Sequence, residues 1–389
     1  MANIGYCIYN TSMRRYTYDQ HVMFSNSIHT YNVFHIDKLT QDRAKTKASK
    51  ERYLNIIDIS YRSSNEIIKI ILDLKIEVFI FYTFQSLLDK FLWQICQNLG
   101  IPTIFHDHGI VFGNKIVGES KYNISLIRLK RKLSFLIKNF QLNFLTDNIY
   151  SKKLIKREYN FDHYILFSHN NANYYNTFFK LTERNFTITG IPLFRDENEL
   201  LLLKKIIPER KILYIHQPLR KFKFSSISFN EEIEFINSIN KIVKKLNYKL
   251  VVRLHPSQSL EELASYDLNS GITLDNKTNL QLQAATASII LGHWSTALSI
   301  AYPLNKPLII LEYPNVYKKY SSFYSIFKNV GIYCKSVKQL EGTIENIQTI
   351  SKIDDDKWRD LIGQDNTIHH DSVKLNKIIN LITSNDNVI

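Results

Sequence analysis

The chain has 389 residues, with 50 Lys and Arg against 36 Asp and Glu, and a formal net charge of +14. Hydrophobic residues make up 44% of it, which supplies a full core and excludes an intrinsically disordered chain. Three distant cysteines (Cys7, Cys96 and Cys334) exclude a disulfide scaffold and a cysteine zinc site. Because the sequence lacks an apolar leader and any run of roughly 20 apolar residues, it predicts a soluble cytoplasmic protein.

In the first half of the chain, short apolar runs typical of buried strands alternate with amphipathic runs typical of helices. Strands are predicted at 3–9, 31–36, 77–82, 102–105, 164–167 and 186–189, and helices at 65–74, 87–99 and 125–156. Gly100 and Pro102 stand where the second of these helices must end. The alternation predicts a parallel sheet with helices on both faces.

The second half repeats this alternation after a helix or linker at 200–208. Strands are predicted at 211–215, 249–254, 287–291 and 307–311, helices at 230–246, 279–285, 295–302 and 337–350, and a helical tail at 354–382. We therefore expect an α/β fold of two Rossmann-like, doubly wound domains with a cleft between them, over residues 1–200 and 201–355. We expect residues 356–389 to form a helical tail that packs back on the fold. Ligands bind such sheets beyond the carboxyl ends of the strands.

The run FHDHGIVFG follows the predicted strand at 102–105 and carries the first polar cluster. It places His106, Asp107, His108 and Gly109 at the carboxyl end of that strand. A carboxylate or imidazole there suits a general base, and the glycine gives the backbone freedom to approach a ligand. The alternative is a loop whose polar side chains only satisfy turn hydrogen bonds. The two histidines lack a third ligand at a spacing typical of metal sites, so the cluster predicts no metal site.

Two further clusters follow strands of the second half. YIHQPLRKF ends a strand at His216 and Gln217, whose polar groups suit a nucleotide, the alternative being an ordinary basic turn. VVRLHPSQS delivers Arg253, His255 and Pro256, and the proline restricts the backbone that aims the imidazole. A histidine at this place would stabilise a leaving phosphate.

The fourth cluster lies in ILGHWSTALSIA, where a strand runs through Gly292 and His293 to Ser295 and Thr296. Small hydroxyl residues cap a helix, and the backbone N–H groups at its start can bind an anion. A plain helix cap is the alternative. The sequence contains no dinucleotide fingerprint, P-loop or nucleophile elbow, and its one D-x-D match opens the helical tail at 354–356. We therefore expect neither a metal nor a cofactor.

The order of these clusters resembles that of bacterial GT-B glycosyltransferases of surface-polysaccharide synthesis. The similarity extends to sialyltransferases and polysialyltransferases, to capsule Kdo transferases and to CDP-glycerol polymerases. The pair His255-Pro256 resembles the His-Pro motif that contacts the CMP phosphate, and Ser295-Thr296 resembles the phosphate-binding Ser/Thr motif. The similarity continues through ALSIAYPLNKPLIILEYP, where these enzymes place the nucleotide and where Glu312 lies.

The resemblance makes Asp107 the general base, with one departure. His108 stands where polysialyltransferases carry a second carboxylate, and a His-Gly pair carries the base in glycerol-phosphate polymerases, so the two residues remain rivals. The resemblance implies a metal-independent transferase. It would move a sialic-acid-like or Kdo-like sugar from a CMP-activated donor to a glycan or lipid-linked acceptor in capsule or lipooligosaccharide synthesis.

Four alternatives stay open: a CDP-glycerol-type glycerophosphotransferase, a hydrolysing epimerase, a non-catalytic glycan-binding protein and a basic nucleic-acid-binding protein. The last is not favoured, because no nucleic-acid-binding signature accompanies the charge. Part of the basic charge lies at 125–156, where Arg128, Lys130, Arg131 and Lys132 alternate with apolar residues. Such a helix suits peripheral contact with the anionic inner face of a membrane, or simply the solvated side of an ordinary domain helix.

Overall fold

The structure is a computed structural model. It describes residues 2–8, 29–35, 54–59, 62–82, 87–107, 159–177, 179, 181–191, 193–194, 197–255, 258, 271–275, 278–321, 323–347, 355–363 and 370–384.

Within these residues the first half of the chain forms a parallel sheet in the order β3-β2-β1-β4-β5-β6-β7. Its strands are β1 (Asn3–Ile8), β2 (Thr30–His35), β3 (Leu54–Asp58), β4 (Val78–Tyr82), β5 (Thr103–His106), β6 (His163–Leu166) and β7 (Phe186–Ile188). Its helices are α1 (Ser64–Asp73), α2 (Leu87–Leu99) and α3 (His169–Tyr175). The strand order reverses between β1 and β4, as in a doubly wound fold.

The second half forms another parallel sheet in the order β10-β9-β8-β11-β12-β13. Its strands are β8 (Glu209–Ile215), β9 (Lys249–Arg253), β10 (Ile272–Leu274), β11 (Ala287–Gly292), β12 (Leu308–Leu311) and β13 (Ile332–Cys334). The helices are α4 (Glu197–Lys204), α5 (Phe229–Lys245), α6 (Leu280–Thr286), α7 (Phe323–Lys328), α8 (Val337–Glu345), α9 (Asp355–Ile362) and α10 (His370–Ser384).

Side-chain alternation along β4 shows that both faces of the first sheet are covered. Phe79 and Phe81 belong to an apolar cluster with residues of α1 and α2. Val78 and Ile80 belong to a separate cluster, in which α10 supplies Ile378 and others. Successive residues of a strand point to opposite faces, so helices sandwich this sheet.

Helix α5 begins with a capping box and has a mostly apolar buried face. The Ser228 side chain accepts a hydrogen bond from the Glu231 backbone, and the Glu231 carboxylate accepts one from the Ser228 N–H at 2.6 Å. The buried face repeats every three or four residues through Phe235, Ile236 and others, and its first member is the carboxylate Glu232.

Gly363 lets the chain turn sharply where α9 ends beside the first sheet. Its φ is +81°, and a Cβ there would lie 1.9 Å from the Phe167 carbonyl oxygen. The Ile191 N–H also donates to the Ile362 carbonyl, at 3.2 Å. A glycine is required at this turn because the positive φ and the close backbone both exclude a side chain.

The predicted α/β fold of two doubly wound parallel sheets is confirmed, with local corrections. The segment predicted as a helix at 295–302 is a 3₁₀ helix over Thr296–Ala301. The predicted helix at 337–350 ends at Glu345, and the residues of the tail that the structure describes form two helices. Strands β3, β10 and β13 were not predicted from the sequence. The domain limits at 200 and 355 stay predictions, and the helix at 125–156 lies outside the described residues.

Candidate active site

Asp107 lies directly after β5, buried at the carboxyl end of the first sheet. Its N–H continues the strand pairing by donating to the Ile165 carbonyl at 2.9 Å. Its Oδ1 accepts a hydrogen bond from the Tyr175 hydroxyl at 3.1 Å, and its Oδ2 accepts from the Asn171 amide. The Phe167 N–H adds a long contact to Oδ2 at 3.5 Å. These donors fix the carboxylate against α3.

The other members of the FHDHG cluster have different placements. His106 is buried, and its Nδ1 lies 3.5 Å from the Tyr6 hydroxyl on β1. Alternation along β5 puts its side chain on the face opposite to that of Asp107. His106 is thus a core histidine in this structure. His108 and Gly109 lie outside the described residues, so the choice between Asp107 and His108 as base stays open.

A buried charge network follows β8 on the second sheet. Nε2 of His216 lies 3.3 Å from Oε1 of Glu232, an ion-pair distance without the alignment of a good hydrogen bond. Oε1 also accepts from the Tyr313 hydroxyl at 2.7 Å, and Oε2 accepts from Arg220 Nε at 2.9 Å. Burial by itself would raise the pKa of Glu232, but these three partners hold it at about 2. Glu232 is therefore an anion at neutral pH.

Gln258 connects this network to the end of β9. Its Oε1 lies 3.3 Å from His216 Nδ1 and accepts a hydrogen bond from the His255 N–H at 3.2 Å. The backbone N–H of Gln258 donates to the His255 carbonyl at 2.9 Å. The neighbouring Arg253 turns back toward α6, donating to the Thr278 carbonyl. Pro256, which was expected to restrict this loop, lies outside the described residues.

The imidazole of His255 is half-buried and meets the Phe222 ring edge-on, with 5.4 Å between ring centroids. Burial is the main cause that lowers the pKa of His255 to about 4, and the charges of His216 and Lys221 add to it. The ring is therefore neutral at pH 7. A neutral imidazole can still donate one hydrogen bond to a phosphate oxygen.

The end of β11 contains both a structural histidine and a polar contact to β8. His293 is buried, with Nδ1 donating to the Leu311 carbonyl at 2.6 Å and Nε2 accepting from the Tyr214 hydroxyl at 2.6 Å. Burial lowers the pKa of His293 to about 3, so it is neutral and supports the strand ends. A Cβ on the buried Gly292 would lie 2.5 Å from Leu298, which explains the small residue there.

The residues after His293 join the ends of β11 and β8. The Trp294 N–H donates to Gln217 Oε1 at 3.1 Å. The Ser295 hydroxyl caps the 3₁₀ helix by accepting from the Ala297 N–H at 3.2 Å, and Thr296 begins that helix half-buried beside it. Two of the predicted nucleotide contacts, Gln217 and Ser295, are thus held within one edge of the sheet.

Glu312 directly follows β12 at the same edge. Its Oε2 accepts a hydrogen bond from the Tyr333 hydroxyl at 2.6 Å, and its N–H donates to the Cys334 carbonyl at 2.8 Å. The side chain is half-buried. A carboxylate held this way at a strand end has the hydrogen-bonding capacity to accept from ribose hydroxyls.

The structure therefore places the described candidates at two sheet edges. Asp107 and His106 belong to the first sheet, and the remaining described candidates follow strands of the second: His216, Gln217, Arg253, His255, Gly292, His293, Ser295, Thr296 and Glu312. In the described part of the chain, no three His, Cys, Asp or Glu side chains cluster to hold a metal ion. Among the helices described, none is long and apolar enough to cross a bilayer. The basic residues Arg128, Lys130, Arg131 and Lys132 lie outside the described residues.

Sequence patterns did not predict the residues that hold these candidates in place, namely Asn171, Tyr175, Glu232, Gln258 and Tyr313. For Glu232 a signal exists. It shares the helical period of the apolar stripe of α5, and a carboxylate on the buried face of a helix needs partners. For Asn171, Tyr175 and Tyr313 no local signal exists, because the tertiary fold brings their partners near from distant parts of the chain.

Two doubly wound parallel sheets with polar residues at their carboxyl ends form the architecture of the GT-B fold. A family model described as alpha-2,8-polysialyltransferase (POLYST) matches residues 9–307, well over half of the chain. The chain therefore belongs to the alpha-2,8-polysialyltransferase family. No curated protein sequence matches it.

Solved structures support the fold at low sequence identity. The wall teichoic acid polymerase TagF shares 12% identity with a TM-score of 0.57, covering 98% of this chain and 88% of that one. A glycosyltransferase from Rickettsia africae shares 10% identity with a TM-score of 0.57, covering 99% of both chains. A UDP-GlcNAc 2-epimerase from Neisseria meningitidis shares 11% identity with a TM-score of 0.52, covering 97% and 99%. These similarities show the GT-B fold alone.

Proposed function

We propose that this glycosyltransferase moves a sialic-acid-like or Kdo-like sugar from a CMP-activated donor to a glycan or lipid-linked acceptor, without a metal ion, in capsule or lipooligosaccharide synthesis. The buried carboxylate Asp107, held by hydrogen bonds at the end of β5, carries the proposal. Family membership supports a sugar transferred from a nucleotide donor. The enzyme would work in the cytoplasm, at the inner face of the membrane where lipid-linked acceptors lie.

In the proposed reaction, Asp107 or His108 removes the proton of the acceptor hydroxyl. The acceptor oxygen then bonds to the anomeric carbon as the bond from that carbon to the CMP phosphate oxygen breaks. His255 donates a hydrogen bond to the departing phosphate, on which negative charge grows. Interactions that strengthen as charge develops are usually the largest catalytic contribution.

The nucleotide would lie along the carboxyl edge of the second sheet. Gln217, Ser295 and Thr296 would bind the phosphate, and Glu312 would accept hydrogen bonds from the ribose hydroxyls. Arg253 would contribute positive charge near the phosphate, and His216 would support the site from beneath, because its side chain is buried with both ring nitrogens facing protein oxygens. Gly292 and His293 would act as supports, because the ring nitrogens of His293 already bond within the protein.

A CDP-glycerol-type transfer is the second candidate. His108-Gly109 matches the His-Gly pair of glycerol-phosphate polymerases, and TagF, a wall teichoic acid polymerase, shares the fold. In that reaction the acceptor hydroxyl would attack phosphorus rather than an anomeric carbon, and CMP would again leave. Both candidates therefore predict affinity for a cytidine nucleotide.

A thermal-shift panel with CMP, CDP, UDP, GDP and ADP, each with and without EDTA, tests the proposal. A nucleotide at about 100 times its dissociation constant stabilises the fold by about 2.7 kcal/mol. We expect stabilisation by CMP, or by CMP and CDP, that EDTA does not change. Stabilisation by UDP or GDP alone would contradict the cytidine assignment, and no response at all would favour a scaffold or nucleic-acid-binding protein.

Transfer assays then separate the two candidates. Incubation with CMP-sialic acid, CMP-Kdo and CDP-glycerol in turn, with a membrane extract as acceptor, should give CMP release from one donor class. The Asp107→Asn and His255→Gln variants should each lose most of their transfer activity, while nucleotides should still stabilise them against heat. Release of CMP from CDP-glycerol alone would replace the sugar donor with a glycerophosphate donor.

A further inference from the structure

Glu232 joins three separate segments of the chain beneath the carboxyl edge of the second sheet. Its carboxylate is 1% exposed and belongs to α5, whose inner face is otherwise mainly apolar. His216 comes from the end of β8, Arg220 from the loop that follows, and Tyr313 from beyond β12. One side chain thus fixes two loops of the proposed nucleotide site.

The network continues from the buried carboxylate to His255. His216 stands between Glu232 and Gln258. Its Nε2 lies 3.3 Å from Oε1 of Glu232, and its Nδ1 lies 3.3 Å from Oε1 of Gln258. The Gln258 side-chain oxygen accepts a hydrogen bond from the His255 N–H, and the Gln258 backbone N–H donates one to the His255 carbonyl. Glu232 and Gln258 thus contact opposite sides of the His216 ring, and Gln258 links that ring to the segment that carries His255.

An apolar residue at position 232 would complete the stripe of α5 without any desolvation cost. A buried carboxylate needs strong partners to offset that cost, and an ion pair of this kind adds little to stability compared with a hydrophobic replacement. We therefore attribute the carboxylate at position 232 to the side chains that it holds in place, and not to a gain in stability. It holds an imidazole and a guanidinium at the edge where an anionic phosphate would arrive.

We propose that Glu232 is a positioning residue that orients Arg220 toward the ligand and, through His216 and Gln258, fixes the backbone at His255. This inference rests on the proposed function for the identity of the ligand. It does not need that function for the first of its consequences, the orientation of His216 in the free protein.

The test compares Glu232→Gln with two matched controls on the same helix. Glu234→Gln removes the same charge from an exposed position, and Ile239→Val weakens the buried face without touching the network. Three quantities are measured for each variant, at a temperature well below its unfolding midpoint. They are the ring ¹⁵N chemical shifts of His216 without ligand, the dissociation constant for CMP, and kcat and KM for the transferred donor.

We expect Glu232→Gln to move the His216 ring signals and to weaken CMP binding or lower kcat on the order of tenfold to a hundredfold. Both controls should leave the signals and the CMP affinity unchanged. Gln258→Ala provides a second variant, should Glu232→Gln not fold. It leaves the buried carboxylate intact and is expected to lower kcat and CMP affinity in the same direction.

Unchanged His216 signals in Glu232→Gln would overturn the proposal whatever the ligand is. An unchanged CMP affinity and kcat in both Glu232→Gln and Gln258→Ala would overturn it as well. If the wild-type protein binds no nucleotide, the proposed function fails instead, and the ¹⁵N signals still decide whether Glu232 orients His216.

Discussion

Asp107 and Glu232 are buried carboxylates at or beneath the carboxyl edges of the two sheets, and they differ in the donors that hold them. Asp107 on the first sheet accepts from an amide, a phenol and a backbone N–H, which are all neutral. Glu232 beneath the second sheet meets an imidazole, a guanidinium and a phenol. The first edge therefore orients a carboxylate, whereas the second uses a carboxylate to orient cationic or polar groups.

This difference predicts opposite consequences for the same chemical change. Replacing Asp107 by Asn leaves an amide oxygen that still accepts from neutral donors, so little stability should be lost. Replacing Glu232 by Gln removes the buried carboxylate that pairs with Arg220, and breaking an ion pair that is partly buried is costly. Asp107→Asn should thus mainly reduce activity. Glu232→Gln should mainly reduce stability and disturb the positions of the side chains around it.

The largest expected effect is that of Asp107→Asn on the transfer rate. If this carboxylate removes the acceptor proton, kcat should fall on the order of 10²–10⁴-fold, the usual contribution of a general base. The free energy of unfolding should fall by no more than about 2 kcal/mol, since hydrogen-bond partners remain. Initial rates with the donor identified by the nucleotide panel, together with urea unfolding, measure both quantities.

Asp162→Asn supplies the control for this prediction. Asp162 lies at the amino end of the same sheet, where its Oδ2 accepts from the Thr103 backbone at 2.7 Å and hydroxyl at 2.9 Å. Its replacement should leave kcat unchanged. A rate for Asp107→Asn within about fivefold of wild type would transfer the base role to His108.

The two edges also differ in how much of them the sequence could predict. The alternation of apolar runs predicted both sheets, and strand ends pointed to Asp107, His216 and His255, because parallel strands bring their carboxyl ends together. The sequence does not say which histidines are buried, so His106 and His293 were predicted as ligand contacts. The fold places both of them in the core. Histidine suits both roles, and only the surrounding atoms decide between them.

The supporting residues could not be predicted in the same way. Asn171 is 64 positions from Asp107, and Tyr313 is 81 positions from Glu232. Such pairs depend on loop lengths and helix packing rather than on local pattern. Glu232 is the intermediate case, because its place in the stripe of α5 predicts burial but does not say which partners it meets.

The second expected effect is an acid-sensitive contribution of Glu232 to stability. Its pKa is held at about 2 in the folded protein, below the usual carboxyl value of about 4.3. A lowered pKa gives stability that is full above the ordinary value and is lost as the pH falls toward about 2. The difference in unfolding free energy between wild type and Glu232→Gln should therefore shrink by about 2 kcal/mol from about pH 6 to about pH 3.

Urea unfolding at several pH values measures this difference, and Glu234→Gln serves as the exposed control. Histidines that titrate in the same range cancel between wild type and variant to the extent that their environments match. A difference that stays constant down to about pH 3 would show that Glu232 carries no stabilising charge. The comparison between the two carboxylates would then lose its electrostatic basis.

The third prediction concerns the charge of His255 when the ligand arrives. Its pKa of about 4 leaves it neutral in the free protein. A phosphate beside the ring favours the charged form, so saturating CMP should raise this pKa by about one unit or more. Histidine NMR titrations with and without CMP measure the shift.

His163 is the matched control for this titration. Burial lowers its pKa to about 4 as well, but it lies on β6 of the first sheet, with Nε2 2.9 Å from the Thr187 hydroxyl. CMP should leave the pKa of His163 unchanged. Equal shifts at both histidines, or none at His255, would remove His255 from the phosphate site.

The smallest expected effect separates a helix cap from a phosphate contact at Ser295. Ser295→Ala removes the bond to the Ala297 N–H, and the loss of a cap costs about 1 kcal/mol of unfolding free energy. Ser228→Ala removes the equivalent bond at the start of α5 and should cost a similar amount. If Ser295 also contacts the CMP phosphate, its variant alone should weaken CMP binding by about tenfold, the equivalent of about one net hydrogen bond. Parallel behaviour of the two variants in stability and in CMP affinity would reduce Ser295 to a cap, and the phosphate would then depend on Gln217, His255 and the backbone beside them.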